Sequence, residues 1–313
     1  MTEAAYAVVR SVEQALDLAQ SHPGDYHYSA GGTDLQVRIK QELTRARVII
    51  DLSEVPELRG IHSGPAGLVA GSMTTLRELG SSPEVRDWCP MIAEAAASVA
   101  TPVVRMTATL GGNLLVANRC SYYNQSAEWR LSAGYCLRDD GDTCLVTGGH
   151  DRCFSRHVSD LAPALIALGA RVVIHDLRST REMPLEDLYV PDGLRSHAGL
   201  GDSAILLSVR IGRRPGRWWY RKLRRRESID YSSLTVAGAR DAVGGLRVSL
   251  GGVSMSPVLL FTEGGAGNLE DLKRQARRAC KTVDNDLMSL SYRREMIDVF
   301  LGELWHSLDG ASE

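Results

Sequence analysis

The sequence predicts an α+β fold that is divided into more than one domain. Strand-like and helix-like segments alternate through the first 117 residues, and 313 residues are enough for two or three domains. At Gly212 the composition shifts sharply to arginine, and further strands and helices are predicted beyond it. We therefore expect a domain boundary after residue 211.

The first 60 residues predict a small unit of alternating helices and strands. Ser11 precedes apolar residues at helical spacing, so residues 11–20 predict a helix that Ser11 caps. Residues 26–29 and 48–52 predict strands, and residues 36–43 predict a second helix.

Residues 61–211 repeat this alternation around a cysteine-rich segment. The predicted elements are a strand over 68–71, helices over 74–80 and 91–100, a helix, glycine stop and strand over 161–174, a surface hairpin over 178–190 and a last strand over 204–211. Thr101 and Pro102 are expected to end the helix before them. Beyond residue 212, strands are predicted over 234–237 and 246–250 and helices over 269–282 and 291–308.

Two paired-glycine turns are the first candidate binding features. Residues 30–35 read AGGTDL and residues 108–115 read ATLGGNLL. Paired glycines let a backbone approach a ligand closely, and free N–H groups at a helix start favour an anion. Neither turn has the spacing of a Rossmann or Walker motif. One such turn is more often a plain strand–helix connection, but two could hold the two ends of a diphosphate.

The segment 118–157 contains four of the six cysteines and no apolar pattern that could build a core: Cys120, Cys136, Cys144 and Cys153. The N-terminus has no secretory pattern, so metal binding or redox work is favoured over disulfides. The gaps of fifteen, seven and eight residues match neither the tight pairs of zinc sites nor the ferredoxin spacings. Zinc and an iron–sulfur cluster both stay open.

Composition excludes several classes of partner. Apolar residues make up 44% of the chain and its net charge is −2, which gives no reason to expect a nucleic-acid partner. The arginine-rich, aromatic stretch 213–226 could stack on single strands, but a docking face for a partner subunit or an acidic electron carrier, or a merely solvated face, is favoured. No apolar run is long enough to span a bilayer, and the cytoplasm is the expected compartment.

Four ordered motifs carry a resemblance to a known family: AGGTDL, TLGGNLL, SDLAPAL at 159–165 and YRKLRRRESIDYSSLTVA at 220–237. Their order resembles that of the FAD-binding subunit of the xanthine dehydrogenase and molybdenum hydroxylase family. Segment 118–157, through NRC, YYNQ, EWR and DGDTC, resembles an insertion in the beta subunit of 4-hydroxybenzoyl-CoA reductase.

The resemblance implies a fold. Residues 1–211 would form a vanillyl-alcohol-oxidase (PCMH)-type FAD-binding domain with subdomains at about 1–60 and 61–211 and an iron–sulfur insertion at 118–157. Residues 212–313 would form a C-terminal α+β domain of the CO dehydrogenase flavoprotein type.

The resemblance also implies an FAD site, made of Ser29, Ala30, Gly31, Gly32, Thr33, Asp34, Leu35, Thr101, Ala108, Thr109, Gly111, Gly112, Asn113, Asp160 and Lys222. Residues 30–35 would offer N–H groups to the diphosphate, and residues 109–113 would form a second wall. Asp160 would accept hydrogen bonds from the nucleotide portion, although it could also cap the helix after it. Lys222 would lie near the isoalloxazine ring, although it could be one member of a solvated basic face.

By the same resemblance, Cys120, Cys136, Cys144 and Cys153 would ligate a [4Fe–4S] cluster, with Tyr122, Tyr123 and Trp129 packed over it. The chain would be an electron-transfer subunit without catalytic residues of its own. It would assemble with a large molybdopterin subunit and a small subunit with two [2Fe–2S] clusters, as a dimer of heterotrimers. Reduced ferredoxin would supply electrons for removing a phenolic hydroxyl from an aryl-CoA.

Two other functions stay open at this point. One is a molybdenum hydroxylase flavin subunit that passes electrons from a heterocycle or aldehyde to NAD or another acceptor. The other is a zinc-stabilised interaction module without enzymatic activity.

Overall fold

The N-terminal unit is a three-stranded parallel sheet with helices between its strands. The computed structural model describes residues 4–201, 203–241, 244–262 and 268–309. The elements of this unit are β1 Ala5–Val8, α1 Val12–Gln20, β2 Tyr26–Ser29, α2 Leu35–Lys40 and β3 Val48–Asp51. The sheet order is β1–β3–β2, which puts the fully buried strand β3 in the centre. The Ser11 hydroxyl caps α1 by accepting from the N–H of Gln14, as predicted.

A five-stranded antiparallel sheet and a group of short helices form the middle of the molecule. Its strands are β4 Ile61–Gly64, β5 Gly67–Gly71, β6 Arg171–His175, β7 Thr180–Pro184 and β8 Ile205–Ile211, in the order β4–β5–β8–β6–β7. Its helices are α3 Leu76–Ser81, α4 Pro83–Trp88, α5 Pro90–Ala97, α6 Pro102–Arg105, α7 Leu110–Leu114, α8 Ala127–Ala133 and α9 Leu161–Ala167. Every residue of α9 is buried, so this helix is the centre of the core.

The C-terminal part is a four-stranded antiparallel sheet covered by two helices. Its elements are β9 Arg217–Leu223, β10 Leu234–Arg240, β11 Leu246–Gly251, β12 Val258–Thr262, α10 Leu269–Ala279 and α11 Leu290–Asp309, with the sheet order β12–β11–β10–β9. Leu234 and Val236 pack into the core under α10 and α11, whereas Ala237 and Ala239 join the core around α9. Strand β10 is therefore buried on both faces, and its position locks this sheet to the rest of the molecule.

Several predicted boundaries were wrong for local reasons. Helix α2 ends at Lys40 rather than at residue 43, because Glu42 takes a left-handed backbone conformation with φ of 55°. Helix α3 begins at Leu76 because Thr75, not Thr74, forms a capping box with Glu78. Thr101 does not simply end a helix: it caps the next one, α6, by accepting from the N–H of Val104.

The sequence patterns missed four strands and predicted most of the helices. Strands β1, β4, β9 and β12 are too short or too polar to show a clear alternation, whereas β7 lies within the predicted surface hairpin over 178–190. The predicted helices α9, α10 and α11 are confirmed within a few residues. The predicted division after residue 211 falls between β8 and β9 and stays a prediction. In the described parts of the chain, no helix has both the length and the apolar character needed to cross a membrane.

Candidate functional site

A cavity of about 570 Å³ opens between the first glycine loop, helix α7 and the connection 224–233 that joins β9 to β10. Its size falls in the range of ligand sites, and its walls are mainly apolar. Twelve of the fifteen predicted cofactor residues line it: Ala30, Gly31, Gly32, Thr33, Asp34, Leu35, Ala108, Thr109, Gly111, Gly112, Asn113 and Asp160.

The first glycine loop presents a row of free backbone donors. None of the N–H groups of residues 31–35 donates a hydrogen bond to a described residue, and the first bond of α2 runs from Gln36 N to Gly32 O. Gly32 takes a φ of +67°, which L side chains rarely adopt. The bare backbone at Gly31 packs directly on the carbonyl of Thr107, where a Cβ would lie 1.9 Å from the oxygen. The loop can therefore surround an anionic group with N–H donors.

The second glycine pair is not a turn, as the sequence suggested, but the first turn of helix α7. Its N–H groups are already used: Gly111 donates to Ser72 O and Gly112 donates to Thr109 Oγ1. A Cβ on Gly112 would lie 3.8 Å from the Cβ of Ala30, so the two glycine pairs face each other across a narrow gap. This wall contributes shape, because its backbone donors are satisfied inside the protein.

Asn113 and Asp160 supply the polar side chains of the second wall. The Oδ1 atom of Asn113 accepts from the Ser159 hydroxyl at 2.7 Å, which leaves its Nδ2 donor without a described partner. Asp160 does not cap helix α9; the Ser159 hydroxyl does so by accepting from Ala162 N at 3.0 Å. The Oδ1 atom of Asp160 is buried and has no partner among the described residues. A buried acceptor in this state calls for a donor from a ligand.

Lys222 is part of a buried ion pair rather than of the cavity wall. Its Nζ lies 2.8 Å from Asp160 Oδ2 and donates to the Ser98 carbonyl at 3.1 Å. The side chains of Lys222 and Asp160 are each 4% exposed. Burial raises the pKa of the Asp160 carboxyl, and the ammonium of Lys222 opposes that rise. The alternative of a solvated basic face is excluded for Lys222, and its predicted place near the isoalloxazine ring stays a prediction. Lys222 reaches the cavity through Asp160.

Ser29 and Thr101 are also absent from the cavity wall. Ser29 is buried at the end of β2, with its hydroxyl oxygen 3.7 Å from the position that a Cβ on Gly32 would take. Thr101 uses its hydroxyl to cap α6, and its neighbour Ala100 lines the cavity instead, with a left-handed φ of 43°. Both predicted residues therefore lie next to residues of the cavity wall but do not line the cavity themselves.

Sequence reasoning missed Arg38 and Tyr231, which both line the cavity. Arg38 follows Asp34 by four residues, a spacing that puts both on one face of α2 and could have revealed it. Its buried Nε atom has no partner among the described residues. Tyr231 comes from the connection 224–233, a segment whose position no local pattern could give.

Tyr231 closes one side of the cavity, where it contacts both Arg119 and Asp34. Arg119 pairs with Asp34, donates to the Tyr231 hydroxyl at 2.5 Å and lies over the Tyr231 ring at 4.4 Å. The Tyr231 hydroxyl also donates to Asp34 Oδ1 at 3.1 Å. Because Arg119 directly precedes Cys120, this contact joins the glycine loop, the cysteine-rich segment and the C-terminal sheet.

Most arginines of the stretch 213–226 are exposed at the surface but donate hydrogen bonds within the chain. Arg214, Arg217, Arg221, Arg224 and Arg226 each donate to a carbonyl or a carboxylate of the same chain. The side chain of Arg221 also lies 5.1 Å from the Phe300 ring. The stretch is therefore mainly a strand tied to its neighbours, and its role as a docking face stays a prediction.

The four cysteines of segment 118–157 all line one small second cavity: Cys120, Cys136, Cys144 and Cys153. Cys120 and Cys153 are buried, and Tyr122 and Tyr123 lie in the same wall. Trp129 does not cover the cavity; it is 41% exposed and contacts Tyr122 with a ring separation of 6.4 Å.

Backbone N–H groups point at each of the four sulfurs. Burial raises the pKa of the Cys120 thiol to about 11, against N–H groups of Tyr122 and Tyr123 that lower it. For Cys144, burial also raises the pKa, but hydrogen bonds from Thr147 and from nearby N–H groups outweigh it, so the pKa lies below its ordinary value.

The other two sulfurs have the same kind of partner. The pKa of Cys136 is raised by burial and lowered by the N–H of Arg138, and the Ser155 N–H donates to Cys153 Sγ at 3.4 Å. Such N–H donors stabilise negative sulfur, which is the form that binds metal.

The spacing of these sulfurs bears on the kind of centre. Among the residues that the structure describes, no three His, Cys, Asp or Glu side chains converge closely enough to hold a single metal ion. Zinc needs four ligand atoms about 2.0–2.3 Å from one point. In a [4Fe–4S] cluster each thiolate binds a different iron, so the sulfurs surround the cluster instead. Zinc and a [4Fe–4S] cluster both stay predictions for this cavity.

The comparisons with known proteins identify an FAD-binding domain. Residues 2–213 match the family described as FAD binding domain in molybdopterin dehydrogenase. The aldehyde oxidoreductase FAD-binding subunit PaoB of Escherichia coli is 31% identical over 264 residues, which cover 80% of this chain and 82% of that protein. The nicotine 6-hydroxylase medium subunit of Paenarthrobacter nicotinovorans is 28% identical, over 79% of this chain and 74% of its own.

The fold matches a solved structure from end to end. A chain of the CO dehydrogenase from Oligotropha carboxidovorans superposes with a TM-score of 0.78 at 20% identity, covering 99% of both chains. This likeness confirms the predicted fold class. Taken with the match over two thirds of the sequence, the chain belongs to the FAD-binding medium subunits of the xanthine dehydrogenase and molybdenum hydroxylase family.

Proposed function

We propose that the chain is an electron-transfer subunit that holds FAD in the larger cavity and a [4Fe–4S] cluster among the four cysteines. The substrate reaction would take place on a molybdopterin subunit. By the resemblance of segment 118–157, that reaction is the reductive removal of a phenolic hydroxyl from an aryl-CoA such as 4-hydroxybenzoyl-CoA, with reduced ferredoxin as electron donor. FAD, when bound, exchanges one or two electrons and can therefore join single-electron carriers to a two-electron reaction.

Different residues of the larger cavity would bind different parts of FAD. The free N–H groups of residues 31–35 would hold the diphosphate, with the cation of Arg38 nearby. Asp160 Oδ1 would accept from a hydroxyl of the cofactor, because it is buried, charged and unpaired on that side. Lys222 would keep Asp160 ionised and correctly turned. Tyr231 would exclude water from the side that the Asp34–Arg119 contact closes.

The convergence of four cysteines on one cavity carries the proposal for the cluster. They come from separate parts of a 40-residue segment, yet all reach the same wall with N–H donors aimed at their sulfurs. A buried thiol without a ligand gains little from such donors, whereas a cluster is tuned by them. Cys89 and Cys280, the cysteines outside the segment, do not line this cavity, although the N–H groups of Met91 and Ile92 also point at the Cys89 sulfur.

Replacing Cys136 by serine tests this assignment. We expect the Cys136→Ser protein, purified without oxygen, to lose essentially all iron and acid-labile sulfide and to keep its flavin. Cys280→Ser is the matched control, because Cys280 is equally half-buried but lies outside the segment, and it should keep both. Iron, sulfide, zinc and flavin analyses give the answer. A wild-type protein that contains zinc in place of iron and sulfide would overturn the cluster.

Arg138 is expected to raise the reduction potential of the cluster. Its guanidinium lines the cysteine cavity, lies 4.4 Å from the Tyr123 ring and interacts with Cys153. A nearby cation favours the more negative, reduced state of a cluster. Arg138→Gln should lower the potential by about 60 mV or more, where about 59 mV corresponds to a tenfold change for one electron.

Redox titrations followed by electron paramagnetic resonance measure this shift. Arg138→Lys, which keeps the charge, should move the potential much less. Arg152→Gln removes an exposed arginine of the same segment and should leave the potential unchanged. Equal shifts in the Arg138→Gln and Arg152→Gln proteins would contradict a local effect.

The partners follow from the proposed role. We propose a large molybdopterin subunit and a small subunit with two [2Fe–2S] clusters, assembled as a dimer of heterotrimers. This assembly is supported by the family of the chain. Mass spectrometry of the intact complex would test its composition.

A second function is favoured by the names of the relatives, which are an aldehyde oxidoreductase and a hydroxylase. In that case electrons would run from substrate through the flavin to NAD or another acceptor. Purified complex can be reduced with ferredoxin in the presence of an aryl-CoA and, separately, oxidised with NAD after treatment with an aldehyde. Turnover only in the second assay would show that electrons flow in the direction opposite to the one proposed.

A further inference from the structure

The burial pattern of helix α8 is unusual for a surface helix. Arg130 is 4% exposed, pairs with Asp139 at 2.5 Å and donates to the Gln41 carbonyl at 3.1 Å. Its neighbours Trp129 and Leu131 are 41% and 66% exposed. A surface helix normally turns its apolar side chains inward. In this helix Arg130 is buried, whereas the apolar side chains of Trp129 and Leu131 are exposed together with Glu128.

Four exposed apolar side chains lie in the stretch 122–135, and we call them the aromatic patch: Tyr122, Trp129, Leu131 and Tyr135. Each is at least 36% exposed. Tyr122 contacts Trp129 and also lines the cysteine cavity, so the patch leads directly to the four sulfurs. Exposed apolar groups of this kind mark interaction sites.

The surroundings of the patch are acidic. Glu128 is exposed beside Trp129 on α8. Gly141 packs on Tyr135, where a Cβ would lie 2.0 Å from the carbonyl oxygen, so the exposed Asp140 and Asp142 flank Tyr135. The arginines of segment 118–157 do not balance these charges at the surface, because four of the five are buried or half-buried against partners of their own: Arg119, Arg130, Arg138 and Arg156. Only Arg152 is exposed.

We propose that the aromatic patch docks a one-electron carrier protein whose own docking face is basic around an apolar centre. This inference rests on the proposed function, since it needs a redox centre behind the patch. A few apolar side chains with a charged rim suit a transient contact, because electron-transfer encounters bury little surface and permanent subunit interfaces bury much more. The acidic rim attracts a basic face over several ångströms and repels an acidic one. Among ferredoxins, one with an acidic docking face is the poorer fit.

Two carriers of opposite charge test the proposal in the intact complex. The dithionite-reduced complex passes one electron to each iron(III) haem of cytochrome c, whose haem edge is surrounded by lysines. In the other arm, a reduced acidic [2Fe–2S] ferredoxin passes one electron to the oxidised complex. Stopped-flow rates are measured over a range of salt concentrations. We expect the rate with cytochrome c to fall as salt is added and the rate with ferredoxin to rise.

Two variants connect these rates to the patch. Asp140→Asn/Asp142→Asn removes two charges, and asparagine tolerates the left-handed backbone at residue 140, where φ is 62°. It should slow cytochrome c roughly three- to tenfold at low salt and flatten the salt dependence. Trp129→Ser/Leu131→Ser should slow both carriers at every salt concentration. Leu287→Ser, an equally exposed apolar residue on the C-terminal part at 74% exposure, should change neither rate.

The outcomes separate the docking surface from the proposed function. Variants with normal iron and flavin content but unchanged rates would refute the patch alone. If the rate with cytochrome c rises with salt and the rate with ferredoxin falls, the carrier does not have a basic docking face. If Trp129→Ser/Leu131→Ser dissociates the complex in sedimentation, the patch is a subunit interface and the proposal is wrong. A wild-type chain that contains no iron after separation from its partner subunits would defeat the proposed function itself.

Discussion

Replacing Lys222 by methionine is expected to destabilise the chain by about 3–5 kcal/mol, because it leaves Asp160 as a buried charge without its partner. Both side chains are 4% exposed, and the ammonium and carboxylate are 2.8 Å apart. Methionine fills the space of the lysine stem but offers no donor. Urea unfolding of the flavin-free protein measures the loss, and flavin binding should weaken at the same time because Asp160 can turn or become protonated.

The penalty should depend on pH in a defined direction. Burial raises the pKa of Asp160 above the value it has in the unfolded chain, and without Lys222 nothing nearby opposes that rise as strongly. A carboxyl with a raised pKa in the folded state contributes stability below the unfolded pKa of about 4, and loses it as the pH rises. The cost of Lys222→Met should therefore be smallest in acid and grow toward neutral pH.

A double variant separates folding from binding. Lys222→Met/Asp160→Leu removes both charges, and a buried ion pair can often be replaced by apolar residues without loss of stability. We expect the double variant to recover most of the stability lost in Lys222→Met, yet to bind no flavin, because the free Oδ1 of Asp160 is gone. A Lys222→Met protein within 1 kcal/mol of wild type would show that the pair does not matter.

The helices and the first glycine loop were predictable because their signals are local. Ser11 caps α1 through a hydrogen bond to a residue three positions away, and the apolar spacing of α9 suits complete burial. The missed strands depend on distant partners: β9, for example, pairs with β10 across the connection 224–233. Its arginines, Arg217 and Arg221, predicted an exposed basic face; both are exposed, and each also donates a hydrogen bond within the chain.

The candidate site shows the same division between local and distant information. The motif at 30–35 predicted a ligand loop, and its free N–H groups support that prediction. Residue type alone could not show that Lys222 lies against Asp160, 62 positions away, or that Tyr231 reaches Asp34 across 197 positions. The N–H groups of Gly111 and Gly112 were misjudged for a related reason, since Ser72 and Thr109 already accept them.

Replacing Gly31 by alanine is expected to abolish flavin binding. A Cβ at this position would lie 1.9 Å from the oxygen and 2.6 Å from the carbon of the Thr107 carbonyl, so the loop must move away from α7. Overpacking of this kind costs about 1–3 kcal/mol of stability. The movement also shifts the row of N–H donors at residues 31–35. Losing two or three charge-assisted hydrogen bonds of about 1.5 kcal/mol or more each weakens binding by at least ~100-fold.

Gly64→Ala is the control that separates a local collision from a general intolerance of alanine. Gly64 lies in β4 with nothing within 4 Å of the position that its Cβ would take, so the substitution should change neither stability nor flavin affinity. Flavin affinity is measured by fluorescence titration of the flavin-free protein, and stability by urea unfolding. If Gly31→Ala binds flavin as tightly as Gly64→Ala does, the loop does not hold the diphosphate. Its free N–H groups would then have water as their partner.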